Sequence, residues 1–202
     1  AEVFAHARKA GFEAVEVALS GAGDLGLSTT EKEARTVVQA ARDADVRISS
    51  VATGLFWGKS LSADDPAVRA AALDIGRQLI DVAAWLEAGA VLLIPGAVDV
   101  FFDPAAGVVD YDAVSKRASD AVAALLPQAA AAKVAIGLEN VWNKFLVDPS
   151  AMRAFIDQFK SDWVGSYFDV GNAMLVGYPE QWIRRLGPRI KAMTRRRKKT
   201  KP

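Results

Sequence analysis

The chain has 202 residues, of which 51% are hydrophobic and 24% charged, with no cysteine and a formal net charge of +1. This is ordinary globular composition with length for one sizeable core; it excludes disulfides and cysteine metal sites, and no apolar run reaches the roughly 18 residues that a membrane span needs. A soluble, cytoplasmic protein with no membrane partner is expected, and because the first residue is Ala1 the natural start is left undefined. The charge is uneven: the final eight residues, RRRKKTKP, carry six of the 25 basic side chains, leaving 19 basic against 24 acidic groups. Such a run is a candidate nucleic-acid contact, yet no basic stripe interleaved with aromatics accompanies it. Residues 194–202 therefore read as a solvated, disordered tail, and nucleic acid is not an expected partner.

Taken in order, residues 2–10 read as a helix ended by Gly11, and 12–19 (FEAVEVAL) alternate as a strand. A helix over 30–44 follows, capped by Thr29 or Thr30 with Glu33 placed for a capping box, and then a strand at 47–53 (RISSVAT) and a loop, GLFWGKSLSADDP. Residues 65–87 form the longest predicted helix, with Pro66 in its first turn and Val68, Ala72, Ile75, Leu79, Val82 and Leu86 on one apolar face. A short all-apolar strand at 90–94 stops at Pro95-Gly96. A third long helix, 111–132, aligns Val114, Ala118, Val122, Leu125 and Ala129, with Pro127 a candidate bend. Asp148 caps a helix over 149–159, Pro179 opens a last helix, and 189–193 begins a sixth strand.

Between these lie two stretches that carry chemistry. VAIGLENVWN at 134–143 runs an apolar strand straight into Glu139, and thirty residues on VGSYFDVGN at 164–172 repeats the pattern with Asp169. A strand buried on both faces tolerates a carboxylate at its C-terminal end when the group meets a metal or a partner charge. Two such strands, one helical crossover apart, point their carboxylates into one mouth if they are parallel neighbours. The alternative is that each carboxylate caps the following helix or pairs with an arginine.

Strand and helix alternate at a repeat of roughly 30 residues, the mark of a parallel sheet of βα units. No G-x-G-x-x-G or Walker-type fingerprint follows any strand, whereas carboxylates recurring at strand ends fit a TIM barrel. The fold class is α/β, a (β/α)8 TIM-barrel type over 1–193, incomplete, with about six strands present and the first and eighth missing.

The segments GLENVWNKFLVDP, YFDVGNAMLVGYPEQWI and LGPRIKAM, with GLFW and VLLIPG, resemble the sugar-phosphate isomerase/epimerase group of the xylose-isomerase-like TIM barrels, and ketose 3-epimerases and L-ribulose-5-phosphate 3-epimerases in particular. The resemblance implies a divalent-metal-dependent epimerase or isomerase acting on a small sugar or sugar phosphate. The metal is Mn²⁺ or Mg²⁺, with Zn²⁺ or Co²⁺ as alternatives, held by Glu, Asp, His and a second Glu from successive strands. Glu139 and Asp169 match the first two ligands, with Glu139 also a candidate proton-transfer group. Asn172 matches a position that contacts substrate. Glu16 lies where relatives present a polar group to the sugar, a surface glutamate on an alternating strand being the alternative. In such a site a cation stabilises the enediolate formed when the carbon beside a carbonyl loses a proton, and two carboxylates face each other across the sugar. Trp57, Phe56 and Trp142 are candidates for the apolar wall, with core packing the alternative for each.

The chain departs from the family pattern where a histidine should follow the sixth strand: Met193 is followed by Thr194 and the basic run. The expectations are a chain truncated at both ends, the C-terminal run looking like a frameshift, with weak metal binding, low turnover, and unpaired edges open to completion by another chain or to a homo-oligomer. A catalytically dead barrel fragment serving as a binding or scaffold module is the main rival. An endonuclease IV-like repair enzyme is a lesser one, because its zinc cluster needs many histidines and this chain has one, His6.

Overall fold

The computed structural model describes residues 2–194. Helix α1 (Glu2–Lys9) leads into β1 (Ala14–Leu19), and strands and helices then alternate through α2 (Glu31–Asp43), β2 (Arg47–Thr53), α3 (Leu55–Gly58), α4 (Pro66–Trp85) and β3 (Ala90–Leu93). The chain continues with α5 (Tyr111–Ala132), β4 (Ala135–Glu139), α6 (Pro149–Asp157), β5 (Val164–Asp169), α7 (Val170–Val176), α8 (Pro179–Leu186) and β6 (Ile190–Thr194). All six strands are parallel and lie in sequential order, each joined to its neighbour by a connection that contains a helix.

Local chemistry sets the helix starts. Thr30 and Glu33 close a reciprocal capping box, Asp65 and Asp148 accept backbone N–H groups at α4 and α6, and Pro66 and Pro149 occupy first-turn positions where no donor is needed. The apolar stripe of α5 is buried as the spacing predicts, and the helix continues unbroken through Pro127. Two short helices interrupt stretches that pattern alone reads as loop or leaves unassigned. Of these, α3 is a single turn after β2, and α7 follows β5 directly. Both are too short to show a period.

Leu79, Ile80, Leu93, Leu125, Ile136, Leu138, Met152 and Phe168 are fully buried between sheet and helices. β3 and β5 are buried along their whole length, whereas β1 and β6 are only partly covered. Among the described residues β1 pairs only with β2 and β6 only with β5, so the sheet is a half-barrel, the incomplete TIM-type architecture expected. The basic run at 195–202 lies outside the described residues. No described helix is long and apolar enough to cross a membrane.

Candidate functional site

The face on which the candidate residues lie follows from register. Glu139 pairs with Tyr167, so their side chains share one face, and Asp169, two residues past Tyr167, shares it too. Tyr167 reaches Glu16 on β1 and Ser50 on β2, which are not its neighbours in the sheet, and this is geometrically open only to a residue on the concave side. On the opposite face Phe168 stacks on Trp182 of α8, with ring centroids 5.9 Å apart. Glu139 and Asp169 therefore both project into the half-barrel, at the C-terminal ends of adjacent strands.

Around Asp169 the chain is stitched by asparagines. The buried side chain of Asn140 accepts from the Asp169 N–H at 2.8 Å and donates to the Asp169 carbonyl at 2.9 Å, extending the ladder one step past β4. Asn172 donates from its backbone N–H to Asp169 Oδ1 at 2.6 Å and from Nδ2 to the Asn140 carbonyl at 2.9 Å. Trp142 Nε1 donates to Asn172 Oδ1 at 2.5 Å. Asp169 thus caps α7 while facing the mouth, so capping and site position coexist in one residue. Asn143, also buried, donates to the Gly96 carbonyl at 2.5 Å and ties the loop after β4 to the loop after β3.

Lower in the half-barrel, Glu16 Oε2 accepts from Ser50 Oγ at 3.0 Å and from the Tyr167 hydroxyl, and the two hydroxyl oxygens are 2.7 Å apart. Burial first, and then the bond to Glu16 and the charge of Glu139, push the Tyr167 phenol far above its ordinary range, so it stays a protonated donor. The ring has room because β4 carries Gly137 beneath it: a Cβ there would stand 2.9 Å from Tyr167 Cβ and 3.0 Å from the Val91 carbonyl.

At the rim, Trp57 meets Phe102 edge-on at 4.9 Å, Phe102 meets Phe101 at 5.1 Å, and Phe101 meets Trp142 at 5.1 Å. The four rings form a chain across the loops that follow β2, β3 and β4. Trp57 and Trp142 lie on this rim, whereas Phe56 is turned into the core at 2% exposure. Sequence reading missed Phe101 and Phe102, which lie in a loop without periodicity, and Ser50 and Tyr167, whose partners are distant in the chain. His6 is exposed on α1.

Glu139 and Asp169 offer hard oxygen donors, but among the described residues no group of three His, Cys, Asp or Glu converges to hold a metal ion. A Mg²⁺- or Mn²⁺-type ion takes about six ligands, so these two carboxylates fill part of a shell and do not by themselves make the four-ligand site the resemblance implies.

No curated protein matches the chain in sequence. Its fold is similar to that of a D-psicose 3-epimerase determined in the presence of D-fructose, with TM-score 0.81 and 19% identity over 95% of this chain and 65% of that one. A D-psicose 3-epimerase with D-tagatose from Clostridium cellulolyticum H10 gives 0.78 and 17% over 94% and 64%. An L-ribulose 3-epimerase gives 0.77 and 22% over 94% and 61%. The chain thus spans less than two thirds of the length of these structures, and at such identities the likeness is one of fold. A family profile described as the xylose isomerase-like TIM barrel matches residues 4–194, nearly the whole described chain, and its parallel βα order is the one observed here: the chain belongs to the xylose isomerase-like TIM-barrel family.

Proposed function

We propose that the chain carries the strand-end half of a sugar or sugar-phosphate isomerase/epimerase site that works by removing a proton beside a carbonyl. The observation that carries this reading is the pairing of Glu139 and Asp169 on the concave face of adjacent strand ends, beneath an aromatic rim. The sugar epimerases among its structural neighbours support the same substrate class.

Glu139 is the proton-transfer group. It takes a proton from the carbon next to the ketone, and the electron pair spreads into an enediolate. Return of a proton to the opposite face inverts that carbon; return to the neighbouring carbon moves the carbonyl. Asn172 and Glu16 bind sugar hydroxyls, and Trp57 and Trp142 lie against C–H faces and exclude water. A divalent cation, when bound with Glu139 and Asp169 among its ligands, supplies Lewis-acid stabilisation of the developing oxyanion. Among the described residues those two donors are an incomplete set.

The test is solvent-deuterium exchange at carbon. D-psicose, D-fructose, D-tagatose and L-ribulose are incubated with the protein and Mn²⁺ in D₂O and followed by NMR. Deuterium should enter at the carbon beside the ketone, and Glu139→Gln should slow exchange by about 10²-fold or more. A folded protein that exchanges none of the four sinks the proposal. Binding without exchange supports the rival module reading, which the incomplete ligand set favours.

A further inference from the structure

The hydroxyl pair on Glu16 is more than a core contact. Glu16 is exposed as a residue, yet its Oε2 sits between two buried hydroxyls, Ser50 at 1% and Tyr167 at 4% exposure. A serine and a tyrosine have one hydroxyl hydrogen each; Tyr167 donates its own to Glu16 Oε2, and Ser50 Oγ stands within hydrogen-bond reach of both that oxygen, at 3.0 Å, and the Tyr167 hydroxyl, at 2.7 Å. Oε1 has no hydrogen bond among the described residues. A long, flexible side chain on an edge strand is thereby given one orientation by donors from β2 and β5, and Gly137 keeps the space through which the Tyr167 ring crosses β4. The assembly lies on the same concave face as Glu139, one strand pairing away from Tyr167.

We infer that Tyr167 and Ser50 are positioning residues that fix the Glu16 carboxylate as a hydroxyl acceptor for a polyhydroxylated ligand in the half-barrel mouth. This inference rests on the sugar-site reading and adds to it the residues through which Glu16 acts. A carboxylate held by neutral hydroxyls presents its remaining oxygen without an ordering cost, which is what selective binding of a sugar hydroxyl needs. Neither hydroxyl is required to touch the ligand.

The experiment is a double-mutant cycle on ligand affinity, with D-fructose and D-psicose as probes and dissociation constants from saturation-transfer NMR. Tyr167→Phe should weaken binding about tenfold and Glu16→Gln by at least as much, and the double variant should be no weaker than Glu16→Gln alone. Should Tyr167→Phe fail to fold, Ser50→Ala, which deletes one small hydroxyl, carries the same cycle. Effects that multiply in the double variant, single variants that bind like wild type, or a wild type that binds neither ketose would each overturn the inference. Its failure is separable from that of the proposed function. Ketose binding with the expected cycle but no deuterium exchange defeats the enzyme reading and leaves the positioning role intact. Exchange with independent Tyr167 and Glu16 effects does the reverse.

Discussion

Asn140 does with its side chain what a ladder partner does with its backbone, donating to and accepting from the same residue, Asp169. Removing it in Asn140→Ala leaves a buried N–H and a buried carbonyl unpaired, which costs roughly 2–4 kcal/mol. Asn140→Asp should cost at least as much, because an ionised carboxylate cannot donate to the Asp169 carbonyl. Urea unfolding of both variants checks this, and an Asn140→Asp variant as stable as wild type would show that the two-way bond does not form. Asp169 separates structure from chemistry. Asp169→Asn keeps an N-cap oxygen for α7, so its melting temperature should stay within a few degrees of wild type, whereas Asp169→Ala loses a cap worth about 1 kcal/mol. Both should abolish what Mn²⁺ binding the chain has. With two carboxylates available, wild-type affinity should be micromolar or weaker by calorimetric titration, and submicromolar binding would mean that further ligands converge. Glu139 and Asp169 were legible in the sequence because a charge at the end of an apolar run is conspicuous. Tyr167 was not, because its partners Glu16 and Ser50 lie 151 and 117 residues away and only the curl of the sheet brings them together.

At the scale of elements, β5 carries Tyr167 and Asp169, and at its entry Gly165 packs closely against the segment that opens β6. A Cβ on Gly165 would stand 2.3 Å from the Arg189 carbonyl and 2.5 Å from Lys191 Cγ, so an alanine there must push β6 away along its backbone. Gly165→Ala should cost about 1–3 kcal/mol or more, as overpacking does, and should loosen β6 selectively. A thermal melt together with amide protection in β6 checks this; an unchanged melt would show that β6 yields without loss. The long helices and the strands were readable because burial imposes a period of 3.6 or an unbroken apolar run, and α4 and α5 span enough turns to display it. For α3 and α7 the deciding forces are local. Gly54 and Asp169 start single-turn or two-turn helices within loop-like sequence, where no period can develop.

Across the whole molecule the sheet is asymmetric in what secures it. β3, β4 and β5 have a hydrogen-bonded neighbour on each side and are largely buried, while β1 and β6 have one neighbour each among the described residues. β1 has a second attachment in Tyr167, whose hydroxyl reaches Glu16 from β5 across the concave face. Local opening follows the number and burial of such ties, so amides of β1 and β6 should exchange with solvent well before those of β3 to β5, by a factor of about 10² or more. Tyr167→Phe cuts the transverse tie without touching a ladder bond. It should therefore speed exchange in β1 and leave β3 nearly unchanged, whereas a general loss of stability would accelerate every strand that opens through global unfolding. Hydrogen-exchange mass spectrometry on wild type and Tyr167→Phe distinguishes the two patterns. Selective loss of protection in β1 means that the same hydroxyl which orients Glu16 also holds the edge strand against the rest of the half-barrel. Uniform acceleration means that the bond contributes only to overall stability, and that β1 is held by its pairing with β2 alone.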